Sequence, residues 1–219
     1  MRRIKSAVAV AALAVTLASA GCGILNVNTD AAGQTQIEAR AQSLQEQYEL
    51  FGERYERLGR VLTEAQLHIS DGTWHWIANG VLPYPGSTGY DALAGTSREN
   101  SYYLHASRAV FLPGAAGDRA DLQPMLDYVE SQGWAAEVSD QGDGTHIARA
   151  TTGDGMLIAY TVQENGQYNL SVATATYWGD YRALQNYISD RVPDTDLVEE
   201  SAAGELTPLP EWGAPVVGG

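Results

Sequence analysis

The chain has 219 residues, with 27 acidic side chains against 13 basic ones and a formal charge of −14 at pH 7. An acid excess of this size excludes nucleic acid as a partner, because phosphates demand cationic contacts. One cysteine in the whole chain excludes an internal disulfide framework, so the 44% hydrophobic fraction has to supply a packed core.

At the N-terminus, Arg2, Arg3 and Lys5 precede an Ala/Val/Leu-rich run from Ala7 to Ala18, the charged-then-apolar order of a secretory signal. The run is shorter than the ~20 residues that span a bilayer. Arg2-Arg3 lacks the flanking pattern of a twin-arginine signal and serves as the positive start. The run ends at Ser19-Ala20-Gly21-Cys22-Gly23, and Cys22 is the single cysteine. This small-small-Cys junction resembles the lipobox of bacterial prolipoproteins, with Ser19 standing where that family usually carries Leu, Val or Ile. The resemblance implies cleavage before Cys22 and lipidation of its thiol with acyl chains such as palmitate. The mature chain would then sit on the extracytoplasmic face of the cell membrane, held stably by two or three acyl chains. The alternative for the same residues is an ordinary secretory signal cut after Ala18-Ser19-Ala20.

Removing residues 1–21 takes away three basic residues and no acidic ones, which moves the formal charge to −17, and Lys5, the sole lysine, leaves with them. Without lysine or a free thiol, Walker-type phosphate loops, Schiff-base chemistry, Ser-x-x-Lys sites and thiol catalysis are excluded from the mature chain.

From Cys22 to Gly33 the residues are small and polar and read as a flexible tether. Ile37, Ala41, Leu44, Tyr48, Phe51, Tyr55, Leu58, Leu62 and Ala65 then recur at spacings of four and three, which predicts one long amphipathic helix ending near Asp71-Gly72. Such a stripe can be a dimer seam or can lie on the chain's own sheet. The bulk of Tyr48, Phe51 and Tyr55, together with Gly52 and Gly59, favours the sheet.

Residues 73–78 read as a strand with Trp74 and Trp76 on one face, followed by a long turn-rich loop over 81–100. Strand character resumes from Ser101 to Leu112. A second helix is expected after Asp118 or Asp121 as cap, with Leu122, Met125, Leu126 and Val129 inward and Gly133 as its stop. Four strand-like runs follow, Trp134 to Ser139, Thr145 to Thr151, Met156 to Gln163 and Gln167 to Trp178. They are separated by Gly142-Asp143-Gly144, Gly153-Asp154-Gly155 and Asn165-Gly166, which are hairpin signals. Asp180 caps a last helix that Pro193 ends. Residues 194–219, acidic and rich in Pro and Gly, are expected to be disordered, with Trp212 able to dock.

These elements predict an α+β fold: a mainly antiparallel sheet of five or six strands ending in a C-terminal meander, with the long N-terminal helix and two shorter helices packed on one face. The expected organisation is a signal over 1–21, a tether over 22–33, one domain over 34–193 and a tail over 194–219. Element order and leader together resemble small actinobacterial cell-envelope lipoproteins of uncharacterised role, and the preference for Arg over Lys points the same way.

His68, Asp71 and His75 carry metal-ligating side chains, but Gly72 breaks the helix between the histidines, so no metal site and no cofactor are assigned. Glu64, Asp71, Asp91 and Glu99 are carboxylates near aromatic residues, the raw material of a glycoside hydrolase. Ser87 lies in Gly86-Ser87-Thr88-Gly89, which lacks the Gly-x-Ser-x-Gly elbow. Trp74, Trp76, Tyr84, Tyr90 and Tyr102, in or beside the long loop, are the candidate ligand-binding residues, since Tyr and Trp join an apolar face to a polar tip; the same residues could instead fill the core. The expected function is a lipid-anchored, non-enzymatic module binding a protein or glycan of the envelope. The alternatives are a polysaccharide hydrolase using paired carboxylates and a dimeric scaffold built on the long helix.

Overall fold

Two capping boxes divide the helix that the apolar stripe predicts as continuous. The structure, a computed structural model, describes residues 28–192 and 200–217. The signal over 1–21, Cys22, the first part of the tether and residues 193–199 lie outside the described residues. In helix α1 (Gln36–Ala41) the Thr35 side chain accepts from the Glu38 N–H and the Glu38 carboxylate accepts from the Thr35 N–H. Ser43 and Glu46 repeat this at the start of α2 (Leu44–Ile69), and Gln42 between them is extended. A Ser-x-x-Glu box is a start signal, and here it outweighs the periodicity running through it. Ile37, the first residue of the predicted stripe, is 80% exposed, whereas Tyr48, Phe51, Tyr55, Leu58, Leu62 and Ala65 of α2 are buried in the chain's own core.

The strands follow in chain order as β1 (Thr73–Asn79), β2 (Tyr84–Pro85), β3 (Ser101–Tyr103), β4 (His105–Phe111), β5 (Ala136–Asp140), β6 (His146–Thr151), β7 (Leu157–Val162), β8 (Gln167–Ala173), β9 (Tyr177–Trp178) and β10 (Glu200–Ala202). Helix α3 (Gln123–Ser131) precedes β5, and α4 (Tyr181–Ser189) follows β9. The main sheet is antiparallel, with order β10-β1-β4-β8-β7-β6-β5, and a small sheet has order β2-β3-β9. The fold is α+β, with seven strands in the main sheet because β10 adds an edge the sequence does not announce.

Two predicted strands are cut short at one place. Leu104 donates its N–H to the Thr174 hydroxyl at 2.9 Å, which ends β3 beside the end of β8. The run from Ser101 therefore splits into β3 and β4, and the run expected to reach Trp178 splits into β8 and β9, so that β3 and β9 build the small sheet. The meander keeps its expected turns, including Asn165-Gly166, where Gly166 takes φ +77° at no steric cost. Ile158, Tyr160 and Val162 on β7 and Tyr168, Leu170 and Val172 on β8 are fully buried on one face. That alternation is the period-two pattern of a half-covered sheet.

Neither Asp118 nor Asp121 caps α3 with its side chain. Asp121 accepts a hydrogen bond from the Tyr168 hydroxyl instead, and a 3₁₀ turn over Arg119–Leu122 leads into the helix. Asp180 caps α4 as expected, accepting from the Ala183 N–H at 3.0 Å.

Both chain ends depart from expectation. In the predicted tether, Asp30 is buried and its carboxylate accepts from the N–H groups of Ala32, Gln34 and Trp178, while the Trp178 indole donates to the Asn28 carbonyl. Within the stretch expected as a disordered tail, β10 pairs with β1 and the following residues lie along α2. Low hydrophobicity and high Pro/Gly content describe this tail accurately; what holds it is a set of side chains on α2 that its own composition does not report.

Candidate functional site

The break between α1 and α2 opens a cleft, and one side chain sets its shape. Gln47 of α2 is nearly buried; its amide N–H groups reach the Ala39 carbonyl at the end of α1 and the Gln42 carbonyl at the break, both at 3.3 Å. Its oxygen accepts from the Asp180 N–H at the head of α4 at 2.7 Å. This amide thus joins three helices, and Gly179 ties the same corner to the loop before β3 by donating to the Asn100 carbonyl at 3.0 Å.

The resulting cavity of about 390 Å³ is lined by Gln36, Arg40, Gln42, Gln47, Asn100 and Asp180, with Glu99 at its side and Ala39, Leu44 and Ala183 supplying apolar surface. Neutral amides supply both donors and acceptors, Arg40 a planar cation, and Glu99 and Asp180 anionic acceptors. Such a lining can read a ligand rich in hydroxyl or amide groups. Glu99 alone among the carboxylates singled out in the sequence belongs to it.

A second cavity of about 250 Å³ lies between the docked N-terminal segment and α2, lined by Ala31, Ala32, Arg54, Arg57, Asp154 and Tyr177. Arg54 lies over the Tyr177 ring at 3.8 Å and donates to the Tyr102 hydroxyl; Arg57 pairs with Asp154 at 2.9 Å. Burial pushes the Tyr177 phenol up to about 12 against the pull of Arg54, and raises Tyr102 for the same reason.

The five aromatic candidates are not brought together. Trp74 is fully buried, its indole donating to the Ser70 carbonyl, and Trp76 lies in the core beneath Arg108. Tyr102 is a core residue against Phe51. Tyr84 packs half-buried on Tyr103 and His105. Tyr90 is 45% exposed and donates to the Gly155 carbonyl. None of the five lines either cavity; Tyr102 meets the second only through the hydrogen bond its hydroxyl accepts from Arg54. Core filling accounts for Trp74, Trp76 and Tyr102, because the chain has two Phe and uses Trp and Tyr for bulk.

The histidines are equally dispersed. His68 contacts the Glu64 carbonyl and the Tyr128 ring, and His75 stands edge-on to Phe111. Among the described residues no three His, Cys, Asp or Glu side chains group to hold a metal ion. No described helix is long and apolar enough to cross a membrane.

One buried cation went unnoticed in the sequence. Arg108 on β4 is fully buried on the core face, with its guanidinium 4.4 Å over the Trp76 ring. It donates to the carbonyls of Trp74, Ser201, Ala202 and Glu205 and to the Ser201 hydroxyl. With the Gln66 amide turned oxygen-first, Nε and Nη1 reach it at 3.2 and 2.8 Å. Burial pushes the guanidinium down to about 10, opposed by the Glu205 carboxylate. In the run Tyr102–Phe111 an arginine at an inward register was the available signal, since period two places Arg108 with Ala106 and Val110.

No family model matches the chain, and no curated protein matches it. Among solved structures the chain is similar to LppA from Mycobacterium tuberculosis, a candidate lipoprotein, at 13% identity and a TM-score of 0.40, covering 79% of this chain and 90% of that one. It is also similar to a DUF4853 family protein from Actinomyces odontolyticus at 17% identity and a TM-score of 0.35, covering 56% of this chain and 67% of that one. Likeness at these levels assigns neither activity nor ligand.

Proposed function

We propose that this chain is a lipid-anchored protein of the bacterial cell envelope whose domain binds, without catalysis, a hydroxyl- or amide-bearing ligand of the envelope, a glycan or a protein segment, in the cleft between α1, α2 and α4. The anchor rests on Ala20-Gly21-Cys22, with the single cysteine at the end of the apolar leader. The observation that carries the binding reading is the lining of the cleft, where Gln36, Arg40, Gln42 and Asn100 converge over apolar surface. Position supports it too. The fold begins to hold the chain at Asn28, six residues after Cys22, so the docked segment stands within about 20 Å of a lipidated Cys22 at full extension.

Two measurements test the proposal. Mass spectrometry of the membrane-extracted protein is expected to show an acylated Cys22 as the first residue; an unmodified Cys22 removes the anchor. Titration of the domain with soluble envelope glycan fragments and with peptides, followed by NMR, is expected to shift the cleft amides. Arg40→Ala with Gln42→Ala should weaken that binding about tenfold, or ~1.4 kcal/mol. Binding that the double variant leaves untouched would place the ligand elsewhere. Turnover of a glycan fragment, abolished by Glu99→Gln, would replace binding with hydrolysis.

A further inference from the structure

Residues 204–212 run along α2 in the opposite direction to the helix, and they meet it in a repeating pattern. Leu206 lies on Gly59, where a Cβ would come within 2.2 Å of the leucine Cδ1, and Leu209 lies on Gly52, where a Cβ would be 3.4 Å from Cδ2. Between these contacts the Tyr55 hydroxyl donates to the Thr207 carbonyl, and just beyond them the Tyr48 hydroxyl donates to the Pro210 carbonyl. Trp212 closes the row, stacked on Tyr187 with centroids 4.2 Å apart and tilted against Tyr48 at 5.4 Å.

The spacings match a particular kind of chain. Seven residues of α-helix rise about 10.5 Å and three residues of polyproline II about 9.3 Å. Gly59, where a Cβ would collide with Leu206, and Gly52, where a Cβ would still be in ordinary contact with Leu209, therefore lie seven apart beneath two leucines three apart, and two tyrosines seven apart reach two carbonyls three apart. Pro208 and Pro210 bias the segment toward that extended form. The tyrosines bond only to main chain, so they select an extended backbone, while the two glycine contacts and the aromatic stack select Leu-x-x-Leu-Pro-x-Trp. This division between backbone bonds and side-chain pockets is how peptide-recognition grooves work.

The occupant, residues 206–212, is part-exposed and pinned at its flanks, by Arg108 on Ser201, Ala202 and Glu205 and by Arg191 on Ala214. No residue from Glu200 to Val217 is fully buried, and its only strand, β10, has three residues at the sheet edge. The groove beneath it lies on a 26-residue helix and is formed by Tyr48, Tyr55 and Gly59, buried with the segment in place, and by half-buried Gly52.

We propose that the Gly52–Gly59 face of α2 is a peptide-binding site for an extended Leu-x-x-Leu-Pro-x-Trp segment of a partner protein, and that residues 206–212 are its built-in, displaceable occupant. This is a different surface from the α1–α2–α4 cleft and does not depend on what that cleft binds.

The test uses the full chain with Leu206→Asp and Leu209→Asp, which releases the occupant, and a labelled synthetic peptide of residues 204–217 as probe. Anisotropy is expected to show micromolar binding to the double variant. Binding to the wild type should be about 100-fold weaker, because a tethered segment competes at an effective concentration near millimolar. A peptide carrying Ala at both leucine positions should fail to bind. Equal binding of both peptides, or no binding to a folded double variant, overturns the proposal. Should the variant lose its fold, hydrogen exchange on the wild type decides. Amides of 201–214 should open at least 100-fold more often than those of β7 and β8, and equal protection would make the segment an integral part of the fold. A wild type that sizes as a tail-exchanged dimer also overturns it, since the occupant would then be a second copy.

Discussion

Replacing Arg108 by Met asks whether the buried cation holds the C-terminal segment or is merely tolerated beneath it. The side chain is fully buried and its partners are carbonyls, the Ser201 hydroxyl and the Gln66 amide; among the described residues no carboxylate bonds to it. Met keeps the aliphatic stem but ends before the guanidinium carbon that lies over Trp76, which leaves a small cavity beside the ring. The loss is then the set of charge-assisted bonds, each worth ~1.5–3 kcal/mol, less the cost of desolvating a guanidinium, which is several kcal/mol. Ala202 and Glu205 are exposed, so their freed carbonyls can rehydrate if the segment lifts. The difference comes to about 2–3 kcal/mol of destabilisation, concentrated in β10 and the residues after it. Urea unfolding should show a lower midpoint, and hydrogen exchange should show protection lost over 200–206 but kept in β7 and β8. Arg108→Lys should behave like Met, because it retains charge but loses both the fork and the stacking on Trp76. A Met variant with unchanged midpoint and an intact protected segment would refute the reasoning, since buried charges can be replaced by apolar groups at no cost when they bind nothing in particular.

Three further outcomes follow from the same structure. Tyr160→Phe is expected to stabilise the domain by about 1 kcal/mol in urea unfolding, because the Tyr160 hydroxyl is buried without a hydrogen-bond partner among the described residues. Gln47→Leu should cost about 1–3 kcal/mol and loosen α1 and the head of α4, read as lost amide protection over 36–42 and at Asp180. Raising the pH should unfold the protein between about pH 10 and 12: burial raises Tyr48, Tyr90 and Tyr177 to about 12 and pushes Tyr55, Tyr128 and Tyr160 up as well. Each holds its proton longer folded than unfolded, so its stabilisation is complete below the unfolded pKa near 10 and disappears as pH rises through the folded value. Phenolate absorbance and circular dichroism should change together; tyrosines that ionise without unfolding would contradict this.

How much of the molecule was legible in the sequence depended on the range of the interaction that decides each part. The meander was legible because Asp154-Gly155 and Asn165-Gly166 fix their turns locally and the alternation along β7 and β8 fixes the face. The α1–α2 break was also local, written in Ser43 and Glu46, but the longer apolar period masked it. Leu104 and Thr174 are 70 residues apart, and their bond, which divides two strands between two sheets, has no local trace. The same holds for the tail: Gly52 and Gly59 look like weak points of a helix until Leu209 and Leu206 are seen to occupy them. The aromatic candidates lie apart, three of them in the core, for a compositional reason: a chain with two Phe and twelve Tyr places Tyr where other proteins place Phe. The cleft went unseen because its lining is amides, which carry no periodic or motif signal, and because it exists only where three helices meet.

The docked N-terminal segment changes what the anchor would do. Read from composition, residues 22–33 make a twelve-residue linker with a reach of about 40 Å, long enough for the domain to turn freely above a membrane. Asp30 halves that reach. Its carboxylate accepts three N–H groups, one of them on Trp178, whose indole also binds the Asn28 carbonyl. Because Trp178 and Gly179 are adjacent, the bonds that pin the N-terminal segment lie next to the residues that line the α1–α2–α4 cleft. A lipidated Cys22 would therefore hold that corner of the domain toward the lipid headgroups. The face of α2 under residues 206–212 runs from Gly59 to Tyr48, about half of the helix, and does not depend on the anchor's reach. If both proposals hold, the two surfaces would differ in the ligands they meet: the cleft would take what lies near the membrane, and the groove an extended segment approaching along the helix.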